Sequence, residues 1–325
     1  MCTVATWKDN GIAVVTGRNM DWKEDMASKI WILPAGQERK GFKGGKSLDW
    51  KSKYGSVVTT CYDMASADGM NEKGLSMHVL WLVESDYGKP KAELPNLLVS
   101  LWGQYYVDNF ATVAEAIEYT KNNPFNVVTM PMPGGQKASA TVHLIINDAE
   151  GDMAVFEYID GQLHIWTGEQ YYVATNSPTF DKQLEGLPEY VGFGGRKQIP
   201  GDTSAASRFV RTAYYMNQLQ KPQSLRMTIA GVISLLRSAA QPYSVPDPTQ
   251  PNISPTIWRT VCDHTNLAYY FENTKSPYLV WLNLSDFSFN PGSPTLVCDV
   301  SSDFDLHGDI KAEFKPAEPS FTTIP

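Results

Sequence analysis

The chemistry of the N-terminal segment centres on Cys2, which directly follows Met1. Removal of Met1 would leave a thiol and a free α-amine on the same residue. An α-amine, with an ordinary pKa of about 7.7 to 8.0, is well matched to accept a proton from a thiol of pKa about 8.5. A neighbouring cation such as Arg18 would favour the thiolate. Cys2 is therefore a candidate nucleophile that carries its own base.

Cys2 also has two other interpretations. Residues 2–7 form an apolar run, and position alone favours a cysteine that packs there as a small apolar side chain of a strand. A lipid-modified N-terminal cysteine is the third interpretation. It requires a leader, and residues 1–11 contain no basic flank followed by an apolar core. The choice among the three depends on the rest of the sequence.

A β-hairpin is predicted at the N-terminus, because Asn10-Gly11 lies between two apolar-alternating runs, residues 2–7 and 12–17. If these two residues form the turn, Asp9 pairs with Ile12 and the residue numbers of every cross-strand pair sum to 21. The hairpin therefore brings the end of its second strand next to Cys2.

This register predicts which side chains share the face of Cys2. Cys2 lies opposite Asn19, and the alternation of strand side chains puts Asp21 on the same face as Cys2. Arg18 points to the other face unless a bulge or the strand end redirects it. Both charged residues are expected close to Cys2, but only Asp21 on its face.

The composition is that of an ordinary folded protein. Of the 325 residues, 42% are hydrophobic, 19% are charged and 12% are aromatic, which excludes disorder as the main state. The net charge of -8, without a basic patch, argues against binding to nucleic acid or anionic lipid. No apolar run approaches the roughly 18 residues that a membrane span needs. We therefore expect neither nucleic acid nor a membrane as a partner.

The cysteines are few and widely spaced. They are Cys2, Cys61, Cys262 and Cys298, a pattern that predicts neither a disulfide framework nor a zinc site. The sequence Cys262-Asp263-His264 does not match a usual metal-ligand spacing. We interpret Cys262 as a buried cysteine on a strand, and we expect no metal.

Two-residue alternation marks the strands of the chain. Strands are predicted over residues 56–61, 74–83, 140–147, 153–159, 162–166, 171–175, 256–262, 267–272 and 278–284. Asp68-Gly69 and Asn71–Gly74 resemble turns. The four strands between residues 140 and 175 are predicted to form one antiparallel meander.

Helical periodicity marks two pairs of helices. They are predicted over residues 97–107, 112–121, 204–220 and 225–239, with a capping box at Thr112 and Glu115. Because pairs of helices separate blocks of strands, we predict an α+β fold of antiparallel sheets covered by helices. A single domain is expected over residues 1–325, with a loosely ordered tail at 315–325.

Three loops are candidates for the rim of a binding pocket, residues 84–95, 129–138 and 241–255. Pro and Gly fix their turns, and the methionines of the second loop can adapt to apolar ligands. We therefore expect these loops to surround the site.

Five short sequences occur in the order found in a known family. They are Met1-Cys2-Thr3, Gly17–Trp22, Asp68–Leu75, Thr175–Phe180 and Ser207–Arg211. Together they resemble the choloylglycine hydrolase family, which contains bile salt hydrolases and penicillin V acylases. The resemblance implies an N-terminal-nucleophile hydrolase, a four-layer αββα sandwich with two antiparallel sheets between helical layers. It also implies hydrolysis of a small-molecule N-acyl amide, a linear amide, without a metal or organic cofactor.

The resemblance implies a role for each of five residues. It makes Cys2 the nucleophile, with Arg18 and Asp21 supporting its thiol and amine. Asn176 offers a side-chain N–H to the oxyanion, and Arg208 completes the polar cluster. Without the resemblance, the charged residues would be interpreted as surface ion pairs and Asn176 as a turn residue.

Position 81 departs from the pattern of the family. Bile salt hydrolases of the family typically have Asn there and some penicillin acylases have Tyr, whereas this sequence has Trp81. A backbone N–H contact to the oxyanion survives that change, but a side-chain contact to a substrate amide does not. Trp22 and Trp81 are predicted to form a clamp for an aromatic or fatty acyl group, and core packing is the alternative for both.

The two tryptophans and the short segment between Asn176 and Arg208 resemble the Gram-negative branch of the family. Members of that branch act on penicillin V and on N-acyl homoserine lactones, a quorum-quenching activity, so both are expected substrates. Conjugated bile salts are the alternative substrate, and a non-catalytic acyl-ligand-binding protein is the alternative class. The resemblance also implies a homotetramer, periplasmic if a leader preceded Cys2 and cytoplasmic if Met1 is the native start.

Overall fold

A computed structural model of the chain describes residues 2–131, 139–167, 172–244 and 254–322. In this part of the chain the strands are β1 (Cys2–Trp7), β2 (Val15–Asp21), β3 (Lys29–Leu33), β4 (Glu38–Arg39), β5 (Trp50–Lys51), β6 (Ser56–Cys61), β7 (Ala65–Asn71), β8 (Ser76–Trp81), β9 (Asn96–Leu98), β10 (Asn126–Val128), β11 (Val142–Asn147), β12 (Met153–Ile159), β13 (Gln162–Thr167), β14 (Val173–Ala174), β15 (Thr256–Asp263), β16 (Ala268–Asn273), β17 (Val280–Asn283), β18 (Leu296–Asp299), β19 (Gly308–Asp309) and β20 (Lys315–Pro316). The α-helices are α1 (Trp102–Asn109), α2 (Val113–Asn122), α3 (Phe180–Gly186), α4 (Ala205–Met216) and α5 (Leu225–Ala239). Single turns of 3₁₀-helix lie at Val99–Leu101, Leu187–Glu189, Leu284–Asp286, Lys311–Glu313 and Ser320–Thr322.

Most strands belong to two large sheets. Sheet I has seven strands in the order β14-β1-β2-β15-β16-β17-β19, and sheet II has nine in the order β13-β12-β11-β8-β7-β6-β3-β18-β20. Neighbouring strands are antiparallel except for the parallel pair of β17 and β19. The strands β4 and β5, and the parallel pair β9 and β10, form two small separate ladders.

The two large sheets are the inner layers of the fold. A core of buried apolar side chains, among them Val4, Ile30, Val57 and Ile145, lies between them. Helices α4 and α5 pack on the outer face of sheet I, while α1 and α2 pack on the outer face of sheet II. This arrangement confirms the predicted αββα sandwich with two antiparallel sheets between helical layers.

Gly17, next to Arg18 on β2, lets α5 lie close to sheet I. A Cβ atom at this position would lie 2.6 Å from Val232 Cγ1 and 2.7 Å from Leu236 Cδ1. Any larger side chain would push the helix away from the strand that carries Arg18.

The N-terminal hairpin forms, but the predicted register is wrong. Trp7 pairs with Val15 and Cys2 pairs with Met20, so the paired residue numbers sum to 22 rather than 21. A shift of one residue exchanges the two faces of a strand. Arg18 is therefore on the face of Cys2, and Asp21, which was expected there, is on the opposite face.

The reason for the shift is the loop over residues 8–14, which is longer than a two-residue turn. Asn10 Oδ1 accepts hydrogen bonds from the main-chain N–H groups of Ile12 and Ala13. Asn10 Nδ2 donates to the carbonyl oxygens of Trp7 and Ala13. The buried side chain of Asn10 thus bridges the loop, instead of Asn10 and Gly11 forming the turn alone.

Other predicted elements also differ from the structure. Asp68-Gly69 lies inside β7 rather than in a turn, where a Cβ atom on the glycine would lie 2.4 Å from Val57 O of β6. The predicted helix over 97–107 begins as a strand and a 3₁₀ turn, and its α-helical part starts at Trp102. Strands β11, β12 and β13 are consecutive in sheet II, but β14 leaves the predicted meander and pairs with β1 in sheet I. That crossing brings the segment after β14 to Cys2.

The helix starts follow their capping residues. The hydroxyl of Thr112, as predicted, accepts from Glu115 N at the start of α2, and Ser204 and Ser224 cap α4 and α5 in the same way. The predicted loose tail contains β20, which pairs with β18. Within the described residues we find no helix with the length and apolarity of a membrane span.

Candidate active site

Cys2 lies at the start of β1, between β2 and β14. The residue is 3% exposed, and its main-chain nitrogen donates to Asn176 Oδ1 over 2.5 Å. In the ladder between β1 and β14, Val4 pairs with Ala174, and continuing that register puts Asn176 opposite Cys2. Strand pairing therefore places the side chain of Asn176 beside the nitrogen of Cys2.

Arg18 reaches the sulfur of Cys2 from the neighbouring strand β2. Its Nη2 lies 3.5 Å from Cys2 Sγ and 3.5 Å from Met20 Sδ. The side chain is fully buried, and it also donates to two carbonyl oxygens of sheet II, Ala67 O and Val79 O, each at 2.7 Å. Arg18 thus crosses the core between the sheets and places a positive charge next to the thiol.

Asp68, on β7, is the counter-charge of Arg18. Its Oδ2 lies 3.4 Å from Arg18 Nη1 and 2.6 Å from His78 Nδ1, and its Oδ1 accepts from the Tyr269 hydroxyl at 2.7 Å. Burial alone raises the pKa of Asp68, but the neighbouring His78 and Arg18 outweigh burial and lower it. Burial lowers the pKa of Arg18, and the charges of Cys2 and Asp68 outweigh that effect and raise it. The pair is therefore ionised.

Sequence reasoning missed Asp68 as a member of the site. The residue opens one of the five family motifs, but a carboxylate next to a glycine is typical of a turn. Its place on a buried strand, facing Arg18 across the core, follows from the packing of the two sheets and not from any local pattern.

Three hydrogen bonds fix the side-chain amide of Asn176. Oδ1 accepts from Cys2 N and, at 2.9 Å, from Arg208 Nη2, while Nδ2 donates to Trp81 O at 2.6 Å. Exchanging the oxygen and nitrogen of the amide would lose all three, so its orientation is determined. One hydrogen of Nδ2 contacts Trp81 O, and an amide carries a second that can bind a substrate oxygen.

Arg208, on α4, binds the main chain of Cys2 rather than its sulfur. Its Nη1 donates to Cys2 O and to Thr3 Oγ1, the latter at 2.7 Å, and lies 3.9 Å from Asp21 Oδ2. Burial lowers the pKa of Arg208, and the charge of Asp21 only partly offsets this. Asp21 is itself buried and accepts from Thr256 Oγ1 at 2.6 Å. Asp21 thus joins the cluster through Arg208, on the strand face opposite to the Cys2 sulfur.

Trp22 and Trp81, the two tryptophans of the predicted clamp, lie side by side. Their ring centroids are 5.7 Å apart at an interplanar angle of 47°. Trp22 Nε1 donates to the Tyr62 hydroxyl at 2.7 Å, and that hydroxyl donates to Glu24 Oε1 at 2.6 Å. Both tryptophans are half-buried rather than enclosed in the core. Tyr62, which the sequence did not single out, holds the Trp22 ring in place.

An apolar cavity adjoins Cys2, and Cys2 is one of its lining residues. Its walls include both tryptophans and four methionines, Met20, Met26, Met64 and Met130. Cys61 also lines it, and burial raises the pKa of that thiol to about 12, so that it stays protonated. The cavity is therefore suited to an apolar acyl group.

The 129–138 loop, one of the predicted rim loops, reaches this cavity. Met130 and Pro131 are among the lining residues. The remaining prediction for this loop concerns residues 132–138, which lie outside the described part of the chain.

The other two predicted rim loops flank the same region. From the 84–95 loop, Glu84 accepts a hydrogen bond from Ser177 Oγ at 2.7 Å, directly after Asn176. The described ends of the 241–255 loop line a second cavity that shares Trp22 with the first, and residues 245–253 lie outside the described part.

The arrangement combines a thiol beside a buried cation, a nitrogen of the same residue held by an amide, and an apolar cavity. Such a set can support transfer of an acyl group from an amide to the thiol. Among the described residues, no group of three or more His, Cys, Asp and Glu side chains is placed to hold a metal ion.

Comparison with known proteins defines the class to which the fold and site belong. The family model described as "Linear amide C-N hydrolases, choloylglycine hydrolase family" matches residues 2–297. The chain therefore belongs to the choloylglycine hydrolase family, and it is a hydrolase of linear amide C–N bonds.

Within that family the chain is similar to penicillin V acylases. The penicillin V acylase of Pectobacterium atrosepticum is 41% identical over 327 residues, which cover 94% of this chain and 87% of the relative. The structure of penicillin V acylase from Agrobacterium tumefaciens matches with a TM-score of 0.88 and 40% identity, over 98% of both chains. A bile salt hydrolase/transferase of Clostridium perfringens is 28% identical over 269 residues, 74% of this chain and 79% of the relative.

Proposed function

We propose that the protein hydrolyses N-acyl amides with Cys2 as an N-terminal nucleophile, after removal of Met1 has freed its α-amine. The observation that carries this proposal is the double contact of Cys2. Its sulfur lies 3.5 Å from Arg18 Nη2, its nitrogen lies 2.5 Å from Asn176 Oδ1, and the residue lines the apolar cavity. A thiolate beside a cation and an amine on the same residue are the two groups that this acyl transfer needs.

The reaction proceeds through a thioester. The Cys2 thiolate attacks the amide carbonyl carbon, a C–S bond forms, and the carbonyl electron pair moves to oxygen, where Asn176 Nδ2–H and the Trp81 main-chain N–H bind it. The C–N bond then breaks, and the leaving nitrogen takes the proton that the α-amine had received from the thiol. Water attacks the thioester, the α-amine accepts a proton from it, and the C–S bond breaks to release the carboxylic acid.

The position of Trp81 in sheet II supports its role as a backbone donor. Leu82 N donates to Thr141 O, and Trp81 lies opposite Val142, one position before Leu82. Because hydrogen-bonded and non-hydrogen-bonded pairs alternate along an antiparallel ladder, Trp81 makes no ladder hydrogen bonds with β11. At such a position the N–H and the C=O both point away from the partner strand. Since Trp81 O accepts from Asn176 Nδ2, the Trp81 N–H points to the side of Asn176 as well.

Arg208 and Asp21 keep the nucleophile in place. Arg208 holds the carbonyl oxygen of Cys2 and the amide oxygen of Asn176, while Asp21 lies 3.9 Å from Arg208 Nη1 and supplies the opposite charge. These contacts fix the main chain of Cys2 on one side, and Arg18 fixes its sulfur on the other.

The favoured substrates are penicillin V and N-acyl homoserine lactones. The methionines and tryptophans of the cavity suit a phenoxyacetyl or fatty acyl group, and the relatives at 41% and 40% identity are penicillin V acylases. Conjugated bile salts are the second candidate, because a bile salt hydrolase/transferase is 28% identical. Trp81 disfavours them, since an indole cannot replace an asparagine contact to the substrate amide.

Amine release from penicillin V, an N-acyl homoserine lactone and glycocholate, measured side by side, tests the proposal. Wild type and Cys2→Ala are compared, and the intact mass of the protein establishes whether Met1 has been removed. Turnover of the first two substrates that is lost in Cys2→Ala is the expected result. Turnover that persists in Cys2→Ala would contradict the nucleophile, and a preference for glycocholate would assign the enzyme to bile salts instead.

A further inference from the structure

A buried histidine and a buried glutamate of sheet II contact the segment that carries Asn176. His143 on β11 and Glu157 on β12 are 1% and 0% exposed, and His143 Nδ1 lies 3.0 Å from Glu157 Oε1. The other ring nitrogen of His143, Nε2, lies 2.9 Å from the main-chain oxygen of Thr175. Thr175 directly precedes Asn176, so His143 binds the chain one residue before the proposed oxyanion donor.

The hydrogen bonds of this pair fix one proton of the ring. Glu157 accepts from the main-chain N–H of Phe180 at 3.1 and 3.2 Å and from Trp166 Nε1 at 3.2 Å. His143 Nε2 must donate, because the carbonyl oxygen of Thr175 can only accept. At Nδ1 the ring and Glu157 Oε1 share a proton, so the two side chains form one buried hydrogen-bonded pair.

The pair of His143 and Glu157 holds the chain on both sides of Asn176. His143 binds the carbonyl of Thr175 before it, and Glu157 binds the N–H of Phe180 after it. The strand before this segment, β14, belongs to sheet I, while β11 and β12 belong to sheet II. The pair on sheet II therefore fixes the segment that carries Asn176, whose side chain lies beside Cys2 of sheet I.

We propose that His143, held by Glu157, is a positioning residue for Asn176. It sets the main chain from which Asn176 Nδ2–H faces the oxyanion. This inference rests on the proposed function, since it requires Asn176 to act as an oxyanion donor. Because His143 is not among the described residues that line the apolar cavity, its replacement affects kcat and leaves KM unchanged.

His143→Gln is the first test, because glutamine can donate to one oxygen but cannot bridge Glu157 and the Thr175 carbonyl as the imidazole ring does. We expect kcat for penicillin V to fall by about tenfold or more, with KM within about twofold of wild type. The rate of Cys2 alkylation by iodoacetamide, followed by peptide mass, should not change, since alkylation forms no oxyanion. Glu157→Gln, which keeps the side-chain size and removes the carboxyl group that binds His143 Nδ1, should also lower kcat and leave the alkylation rate unchanged.

A double-mutant cycle with Asn176→Ala establishes whether the effect passes through Asn176. In the Asn176→Ala background, His143→Gln should change kcat by less than about twofold, because the donor that it positions is gone. An equal loss of kcat in both backgrounds would overturn the inference. A His143→Gln enzyme with wild-type kcat, or one whose alkylation slows as much as its kcat, would overturn it too.

His264→Gln is the matched control. His264 is also buried with both ring nitrogens hydrogen-bonded, to Gly74 O and Thr16 Oγ1, and it should keep kcat within about twofold at pH 7. A similar loss in this control would overturn the specific role of His143.

The experiments distinguish failure of this inference from failure of the proposed function. An active wild type that is insensitive to His143→Gln overturns this inference alone, whereas an inactive wild type or an active Cys2→Ala overturns the proposed function and this inference with it.

Discussion

The main-chain nitrogen of Cys2 and the side-chain oxygen of Asn176 lie 2.5 Å apart, although 174 positions separate the two residues in the sequence. The same amide accepts from Arg208 through its oxygen and donates to Trp81 O through its nitrogen. In the proposed mechanism, one side chain thus holds the nitrogen of the nucleophile and also binds the oxyanion. The two functions use different atoms, so a substitution can separate them.

Asn176→Asp should separate them, because aspartate keeps the oxygen acceptors and lacks the N–H donor. We expect kcat for penicillin V to fall by about 10²- to 10³-fold with little change in KM, as when an oxyanion donor is removed. Steady-state kinetics at pH 7 measure this. Asn176→Ala, which also loses the acceptor for Cys2 N, should be at least as slow. A kcat for Asn176→Asp within about threefold of wild type would exclude oxyanion binding by this side chain.

Arg18 and Asp68 form a fully buried ion pair, so removing one partner leaves an uncompensated charge. Arg18→Leu should lower the free energy of unfolding in urea by about 3 to 5 kcal/mol. It should also slow the alkylation of Cys2, because the cation beside the sulfur is gone. Adding Asp68→Asn should restore part of the stability but not the alkylation rate.

The pair of Arg39 and Asp108 provides the control for this prediction. It is also buried, with Arg39 Nε 3.2 Å from Asp108 Oδ2, but it contacts neither Cys2 nor Arg18 through any described hydrogen bond. Arg39→Leu should therefore destabilise the protein and leave the alkylation of Cys2 unchanged. If Arg18→Leu with Asp68→Asn were alkylated as fast as wild type, Arg18 would have no role in activating the thiol.

The family resemblance carried by five short motifs pointed to the five residues that the structure brings together, Cys2, Arg18, Asp21, Asn176 and Arg208. The faces on which the side chains lie were not predictable in the same way. An Asn-Gly pair fits a two-residue turn and also a longer loop. The loop over residues 8–14 contains an odd number of residues, and this shifts the strand pairing so that Arg18 shares the face of Cys2. The hydrogen bonds of the buried Asn10 side chain, which stabilise that loop, depend on tertiary structure.

The buried polar partners of the site could not be predicted from local sequence. Asp68, His143 and Glu157 lie inside strands, where a polar residue interrupts the apolar pattern and suggests a turn or an exposed face. Their partners come from sheet I, in the case of Arg18, and from the segment that directly follows its strand β14, in the case of the Thr175 main chain. Such pairs arise only when the two sheets pack, whereas the helices and most strands follow from caps and periodicity within each segment.

The side chain of Trp81 should affect substrate binding and not the chemical step. Trp81→Leu keeps the main-chain N–H and removes the ring that lies 5.7 Å from Trp22. Because a contact between the Trp81 ring and the phenoxyacetyl ring of the substrate should contribute about 0.5 to 1.5 kcal/mol beyond its burial, KM for penicillin V should rise by roughly 2- to 13-fold. The kcat should stay within about twofold, since the oxyanion contact is retained. Steady-state kinetics that showed a lower kcat at unchanged KM would contradict this division of roles.

His264 should make the stability of the protein depend on pH. Its Nδ1 donates to Gly74 O and its Nε2 accepts from Thr16 Oγ1, both at 2.7 Å, so the buried ring is neutral. Burial lowers the pKa of His264 from 6.5 to about 4. Between these two values the unfolded chain binds a proton that the folded protein excludes.

Protonation of the unfolded chain therefore favours unfolding as the pH falls. The contribution of His264 is complete above pH 6.5, decreases as the pH falls toward 4, and amounts to roughly 3 kcal/mol over that range. Urea unfolding of wild type and His264→Gln between pH 4 and pH 7 measures it, because carboxylates titrate alike in both proteins. The glutamine variant should lose less stability than wild type as the pH decreases. Parallel stability curves for the two proteins would mean that His264 is protonated equally in the folded and unfolded states, contrary to its buried, neutral position.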